Sequence, residues 1–185
     1  MKKIIAFGAS NSKKSINQQF AQFAVAQLRN VDPIVLDLNN FELPLYSVDL
    51  EIESGIPANA IRFSDFVKSS VGIIISLAEY NGLHTSAFKN LWDWLSRMPL
   101  ETPMNIWMNK PMFLLGTSPS RRESSNVMRV SLELFPHFGA QIISNFHLPS
   151  FNHYFKEQQI IEEKQRDLFA TELQKFQAHI NEINT

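Results

Sequence analysis

The segment Gly8-Ala9-Ser10-Asn11-Ser12-Lys13-Lys14-Ser15-Ile16-Asn17 gathers chemistry that little else in the chain offers. It holds three hydroxyls (Ser10, Ser12, Ser15), two ammonium groups (Lys13, Lys14) and the carboxamide of Asn17, with no carboxylate among them. An apolar run, Ile4–Gly8, precedes it, and a helical period starts at Ile16. A helix N-terminus carries unpaired N–H groups and about half a positive charge, so it is a natural anion site. Neither GK[ST] nor GxGxxG is present, which removes the nucleoside-triphosphate and dinucleotide loops. What remains is a phosphate monoester held by Ser and Asn side chains and by backbone. The simpler alternative is that Ser15 only caps the helix and its neighbours form a polar turn.

The surrounding elements must place that loop. Ile4–Gly8 and Val71–Leu77 are apolar without alternation, as in strands buried on both faces of a parallel sheet. Pro33–Leu38, Met112–Thr117 and Gln141–His147 are the other strand candidates. Between them, Ile16, Phe20, Phe23, Ala24 and Leu28 fall on one helical face. Ala58–Lys68 predicts a short helix with Ile61 and Phe66 inward, and Asn39–Pro57 reads as irregular. Ser86–Arg97 carries Phe88, Leu91, Trp92 and Leu95 on one stripe, with Lys89 and Asp93 one turn apart on its flank. Ser125–Phe138 is the next helix, and a closing amphipathic helix is expected over about 156–183. Five strands alternating with helices imply one three-layer α/β domain over 1–185 with a doubly wound parallel sheet. Such sheets bind ligands at the carboxyl ends of their strands, which selects the loops at 9–15, 78–85 and 118–124.

Composition narrows the classes. A formal charge of -1 over 185 residues argues against nucleic acid and an anionic membrane as partners. There is no Cys, which excludes disulfides and thiolate chemistry and fits a cytoplasmic protein. The apolar run after Lys2-Lys3 is too short for a secretion signal, and no stretch reaches membrane-spanning length. The five His are scattered without metal-ligand spacing. His84 is expected on a surface loop, with substrate contact the alternative. Trp94 and Trp107 lie off the apolar pattern and are expected at a subunit interface or a ligand entrance.

The stretch Leu77-Ala78-Glu79-Tyr80-Asn81-Gly82-Leu83-His84-Thr85 and the helix after it resemble the NADPH-dependent FMN reductase family. Glu79, Tyr80 and Asn81 match its Pro-Glu-Tyr-Asn segment, and Lys89, Asn90, Asp93 and Trp94 match the helix that follows. Ser10, Ser15 and Asn17 have the family's phosphate-loop spacing. Lys110-Pro111 and Thr117-Ser118-Pro119 match the ends of the fourth strand. The likeness implies a flavodoxin-like sandwich with sheet order 2-1-3-4-5, FMN as cofactor and NADPH or NADH as hydride donor. It also implies a homodimer, with pairing of dimers into a tetramer left open. Ser10, Ser12, Lys13, Ser15, Ile16 and Asn17 would then surround the phosphate. Ala78, Glu79, Tyr80, Asn81 and Gly82 would face the N5 and pyrimidine side, and Thr117, Ser118, Pro119 and Ser120 the N1/O2 side. No side chain is expected to be catalytic, because the flavin does the chemistry.

Several positions depart from the pattern. Ser12 stands where the family has Arg, which implies a weaker hold on the phosphate and leaves Lys13 or Lys14 to supply charge. Ala78 and Thr85 replace prolines, Leu83 replaces Ser, and Ser120–Ser125 replaces a Gly-rich loop. Arg121 and Arg122 are expected either to draw in the nicotinamide cofactor's phosphates or to form a solvated turn. Besides the reductase, with a flavin, quinone, azo compound or metal oxyanion as acceptor, two readings stand: a flavodoxin-type electron carrier and a fold relative that has lost FMN.

Overall fold

Lys2–Gly8 forms β1, and from Ile4 onward every residue of it is buried, because helices cover both faces of the sheet. In this computed structural model, residues 1–121 and 125–183 are described. The chain continues through α1 (Ile16–Ala26), β2 (Val31–Val35), α2 (Val48–Ser54), α3 (Ala58–Ser69) and β3 (Gly72–Leu77). A short hairpin, β4 (Glu79–Tyr80) and β5 (Leu83–His84), leads to α4 (Ser86–Leu95), β6 (Lys110–Thr117), α5 (Asn126–Leu134) and β7 (Ala140–Leu148). After α6 (Phe151–Tyr154), a second hairpin, β8 (Phe155–Lys156) and β9 (Gln159–Ile160), precedes α7 (Glu163–Glu182).

The five long strands pair in parallel in the order β2-β1-β3-β6-β7, which is 2-1-3-4-5 when only they are numbered. Alternation along each strand separates two cores. Ile4, Ala6, Ile74, Phe113 and Leu115 pack with Phe20, Ala24 and Val25 of α1 and Phe169, Phe176 and Ile180 of α7. Ile5, Phe7, Ile73, Ile75 and Leu114 face α3, α4 and α5 through Phe63, Val67, Phe88, Leu91, Val127 and Met128. The closing helix sits close: a Cβ at Gly72 would lie 2.6 Å from Ile180 Cδ1. Lys2 Nζ donates to the carbonyls of Ile180 and Asn181, at the end of α7 where helix carbonyls lack partners.

Several elements differ from expectation. β2 starts and ends earlier than Pro33–Leu38, because Asp37 turns the chain by accepting from Asn39 N–H at 2.9 Å. Pro33 is tolerated because β2 is an edge strand. The stretch 39–57 is not wholly irregular: Ser47 caps α2 and Gly55 ends it at φ +71°. No residue of α2 is buried, so it has no apolar stripe to reveal it. In α3 the buried set is Ala60, Phe63, Ser64 and Val67; Phe66 packs half-buried against the same core as expected, while Ile61 is 44% exposed. Ser125–Phe138 is a helix only to Leu134, and Pro136 falls in the 3-10 turn that follows. The closing helix starts at Glu163, not near 156, because Glu157 and Gln158 both take positive φ and fold 155–160 into a hairpin. That fold buries Phe155 and Ile160 in the core with Phe20. Trp94 and Trp107 are both 0% exposed, so neither lies at a surface. Trp94 Nε1 donates to Pro44 O at 2.8 Å, and Trp107 stacks on Phe88 within the α3–α5 core.

Candidate functional site

β1 and β3 are neighbours, and the chain leaves them in opposite directions across the sheet, so their carboxyl ends open a crevice. Gly8 ends β1 where α1 approaches most closely. A Cβ there would sit 2.4 Å from Gln18 N, so only glycine lets the helix start this near. Gln18 fastens the junction by accepting from Gly8 N–H at 2.7 Å and donating to Leu36 O at 2.9 Å. Ser15 does cap α1, accepting from Gln18 N–H at 3.1 Å. Ser10 is buried and its Oγ accepts from Ser12 N–H at 3.1 Å, curling the loop.

That cap leaves donors over. Among the described residues the backbone N–H groups of Asn11, Lys13, Lys14, Ile16 and Asn17 make no hydrogen bond. Successive free N–H groups at a helix start form an anion-binding concavity. Asn17 is buried, and its Oδ1 accepts from Ser76 Oγ at 2.8 Å, so its Nδ2 is the group left to offer a ligand. Ser76 was not singled out in the sequence, although it is the one hydroxyl inside the apolar run 72–77. Ser12, Lys13 and Lys14 are exposed, Ile16 is half-buried, and neither Lys forms an ion pair among the described residues.

The segment after β3 is a hairpin rather than an open loop. Tyr80 pairs with Leu83 across a two-residue turn, and Asn81 (φ 52°) and Gly82 (φ 84°) both have the positive φ that a type I′ turn needs. The Asn-Gly dipeptide was the local signal for it. Ala78 is buried behind the hairpin, while Tyr80 (49% exposed) and Leu83 (56%) stand out from it. Glu79 reaches away to α5, where its Oε2 accepts from Ser125 Oγ at 2.9 Å and Val127 N–H at 3.1 Å. A carboxylate at a helix N-terminus is favoured by the helix dipole.

His84 is not on a surface loop. Its ring stacks on Phe135 at 5.8 Å and lies edge-on to Trp92 at 5.4 Å, with Nε2 2.8 Å from Ser131 Oγ. Burial, then the nearby Lys89 charge, lowers its pKa to about 4. Thr85 replaces the proline of the pattern with a double contact: Oγ1 caps α4 at Phe88 N–H and donates to Ala9 O at 2.8 Å. Ala9 N–H also donates to Ser76 O, so the first and third loops are joined directly.

After β6, Thr117 is buried and donates through Oγ1 to Leu148 O at 2.7 Å. Ser118 O accepts from Phe151 N–H and Ser120 O from Ser150 N–H, which ties this loop to the segment after β7. Pro119, Ser120 and Arg121 are exposed; Arg122 lies outside the described residues. A cavity of about 260 Å³ is lined by Leu77, Glu79, Thr117, Ser118, Ser120 and Ser125. The fold therefore gathers all three expected loops at one sheet edge. No metal-competent cluster of His and carboxylates occurs among the described residues, and no described helix is long and apolar enough to cross a membrane.

Sheet order, crevice and an anion-ready loop define a flavodoxin-like α/β protein. Comparisons with known proteins sharpen this class. The chain belongs to the NADPH-dependent FMN reductase family, whose model matches residues 2–153. It is 33% identical over 116 residues to a 2-hydroxy-1,4-benzoquinone reductase of a Burkholderia species, covering 63% of this chain and 60% of that protein. A quinone reductase of Escherichia coli (strain K12) is 29% identical over 100 residues, 52% of this chain and 51% of that protein. The matched stretches thus span about half to three-fifths of these curated relatives. Among solved structures, the flavoenzyme NAD(P)H:(acceptor) oxidoreductase FerB of Paracoccus denitrificans superposes with a TM-score of 0.75 at 21% identity, covering 98% of both chains. That likeness establishes the shared fold.

Proposed function

We propose that this protein is an NAD(P)H-dependent oxidoreductase that works through FMN held at the edge formed by the loops after β1, β3 and β6. The observation that carries the proposal is the row of five unpaired N–H groups at Asn11–Asn17, in a loop with three hydroxyls and no carboxylate. A dianionic phosphate fits that donor set, and Asn17 Nδ2 and the hydroxyl of Ser12 add to it. Lys13 and Lys14, unpaired among the described residues, supply charge in place of the arginine of the family pattern. The backbone of Ala78–Gly82 and of Thr117–Ser120 flanks the ring, with Tyr80 exposed at the hairpin tip to pack beside it. When bound, FMN supplies a site that takes a hydride from NADPH or NADH and passes electrons to a small acceptor. Quinones are the acceptors the relatives' names support best; flavins, azo compounds and metal oxyanions are the other candidates.

The protein's own task is then to hold the flavin and leave one face open to the hydride donor and the acceptor. We place it in the cytoplasm, in keeping with a chain without cysteine. A homodimer belongs to the same proposal: Leu45, Val48, Ile52, Tyr80 and Leu83 expose apolar surface suited to a second copy. Sedimentation at micromolar concentration tests it; a monomer throughout would remove it.

The main test is spectroscopic. The purified protein is titrated with FMN, and NADPH or NADH is added without oxygen. Bound FMN bleached by either nicotinamide is expected. Absence of FMN binding would remove the proposal, and bound FMN that neither nicotinamide bleaches would leave an electron carrier.

A further inference from the structure

The hairpin beside the proposed flavin site has strands of two residues each, too short to hold their position alone. Two of its side chains, Glu79 and His84, hydrogen-bond to α5 and its cap. Glu79 binds the first turn through Ser125 and Val127. At the tip, Gly82 faces Asn126: a Cβ added there would lie 3.5 Å from Asn126 Nδ2. His84 binds one turn further along, at Ser131.

The direction of the last contact follows from its neighbours. Ser131 Oγ donates its one proton to Val127 O at 2.7 Å, so toward His84 it must accept. His84 therefore carries its proton on Nε2 and acts as the donor. Phe88, Trp92 and Phe135 surround the ring and fix its plane. A hydrocarbon ring would fill that space equally well, so the added value of histidine is one hydrogen bond aimed at α5.

We propose that His84 is a positioning residue for the flavin site: through Ser131 it fixes the Glu79–Gly82 hairpin on α5, the helix that follows the other ring-flanking loop. The proposal rests on the flavin reading for its functional consequence, but not for its structural content. Glu79 and His84 pair with each other at the open end of the hairpin, opposite its Asn81-Gly82 tip, so each strand is tied to α5 by its own side chain. Losing the second strap leaves the hairpin free to pivot about Glu79, which shifts the backbone that would face the ring.

Three variants test it: His84→Phe, Ser131→Ala and the double substitution. The first measurement is hydrogen exchange of the 79–84 amides in the protein without FMN. Both single variants are expected to speed that exchange by about tenfold, the scale for losing one buried hydrogen bond, while β1 and β3 amides keep their rates. The double variant is expected to match either single one, because both break the same bond. FMN dissociation constants should rise about fivefold to tenfold, and the KM for NAD(P)H should rise more than kcat falls. His84→Gln, which keeps a donor at the equivalent reach, should recover most of the amide protection. Wild-type exchange at 79–84 in both single variants, or additive effects in the double one, would overturn the proposal. If the wild-type protein binds no FMN, the flavin reading fails, yet the exchange data still decide whether the strap exists.

Discussion

The loop after β1 and the hairpin after β3 flank the same crevice but are built by opposite means. The Ser10–Asn17 loop is organised by nearby backbone and one helix cap, and it keeps five N–H donors unspent. The Glu79–His84 hairpin spends its Glu79 and His84 side chains on α5 and turns Tyr80, Asn81 and Leu83 outward. A phosphate needs free donors at fixed spacing, and a helix start supplies them without long-range help. A planar ring needs a wall whose position is exact to a fraction of an ångström, and only ties to other elements give a two-residue hairpin that precision. Thr85 and Ser76 couple the two regions through Ala9 and Asn17.

The largest way to break the contrast is Gly8→Ala. Its Cβ would meet backbone at 2.4 Å, so α1 must shift and the phosphate loop with it. We expect a loss of about 3 kcal/mol in urea unfolding, with the hairpin amides less affected than those of 9–17. The hairpin side has a comparable lever in pH. His84 is held near 4 against an ordinary value of 6.5, so the native state binds this proton less readily than the unfolded chain. Its stabilising contribution is whole above pH 6.5, falls as pH drops toward 4 and is constant below, by up to about 2 kcal/mol once solvent screening of the partly exposed ring is taken off. His84→Phe should flatten that part of the stability–pH curve, and an unchanged curve would contradict the assignment.

Asn17→Asp sharpens the comparison at the phosphate end. It keeps the acceptor for Ser76 but replaces the Nδ2 donor with a negative charge, so FMN affinity should fall by about 2 kcal/mol while riboflavin affinity barely changes. Equal losses for both ligands would mean the loop does not hold the phosphate. The smallest effect is Lys13→Ala with Lys14→Ala: roughly 0.5 kcal/mol per residue in FMN affinity at low salt, fading at high salt because both side chains are exposed.

Much of this was legible in the residues. Apolar runs without alternation marked β1 and β3, since burial on both faces removes the period-two signal. The α4 stripe Phe88, Leu91, Trp92 and Leu95 is buried as read, and Lys89 and Asp93 do pair at 2.6 Å. Trp94 was misread because α4 is covered on a second side: the 43–46 segment crosses it, with Tyr46 edge-on to the indole at 5.1 Å. Trp107 was misread because it sits in a loop, where no period exists to signal burial. α2 escaped because it buries nothing, and the second hairpin because Glu157 and Gln158 reach positive φ without glycine.

For the proposed phosphate loop, the residues alone determined much: a hydroxyl-rich turn and a Ser cap before a helical period mark a helix start with free donors, all within ten consecutive positions. For the hairpin, the Asn81-Gly82 turn was local, but its place was not. Whether His84 points to water or to α5 depends on Trp92, Ser131 and Phe135, which arrive from α4, from α5 and from the 3-10 turn after it. Only packing brings those groups together, and only there does one imidazole become a strap rather than a surface side chain.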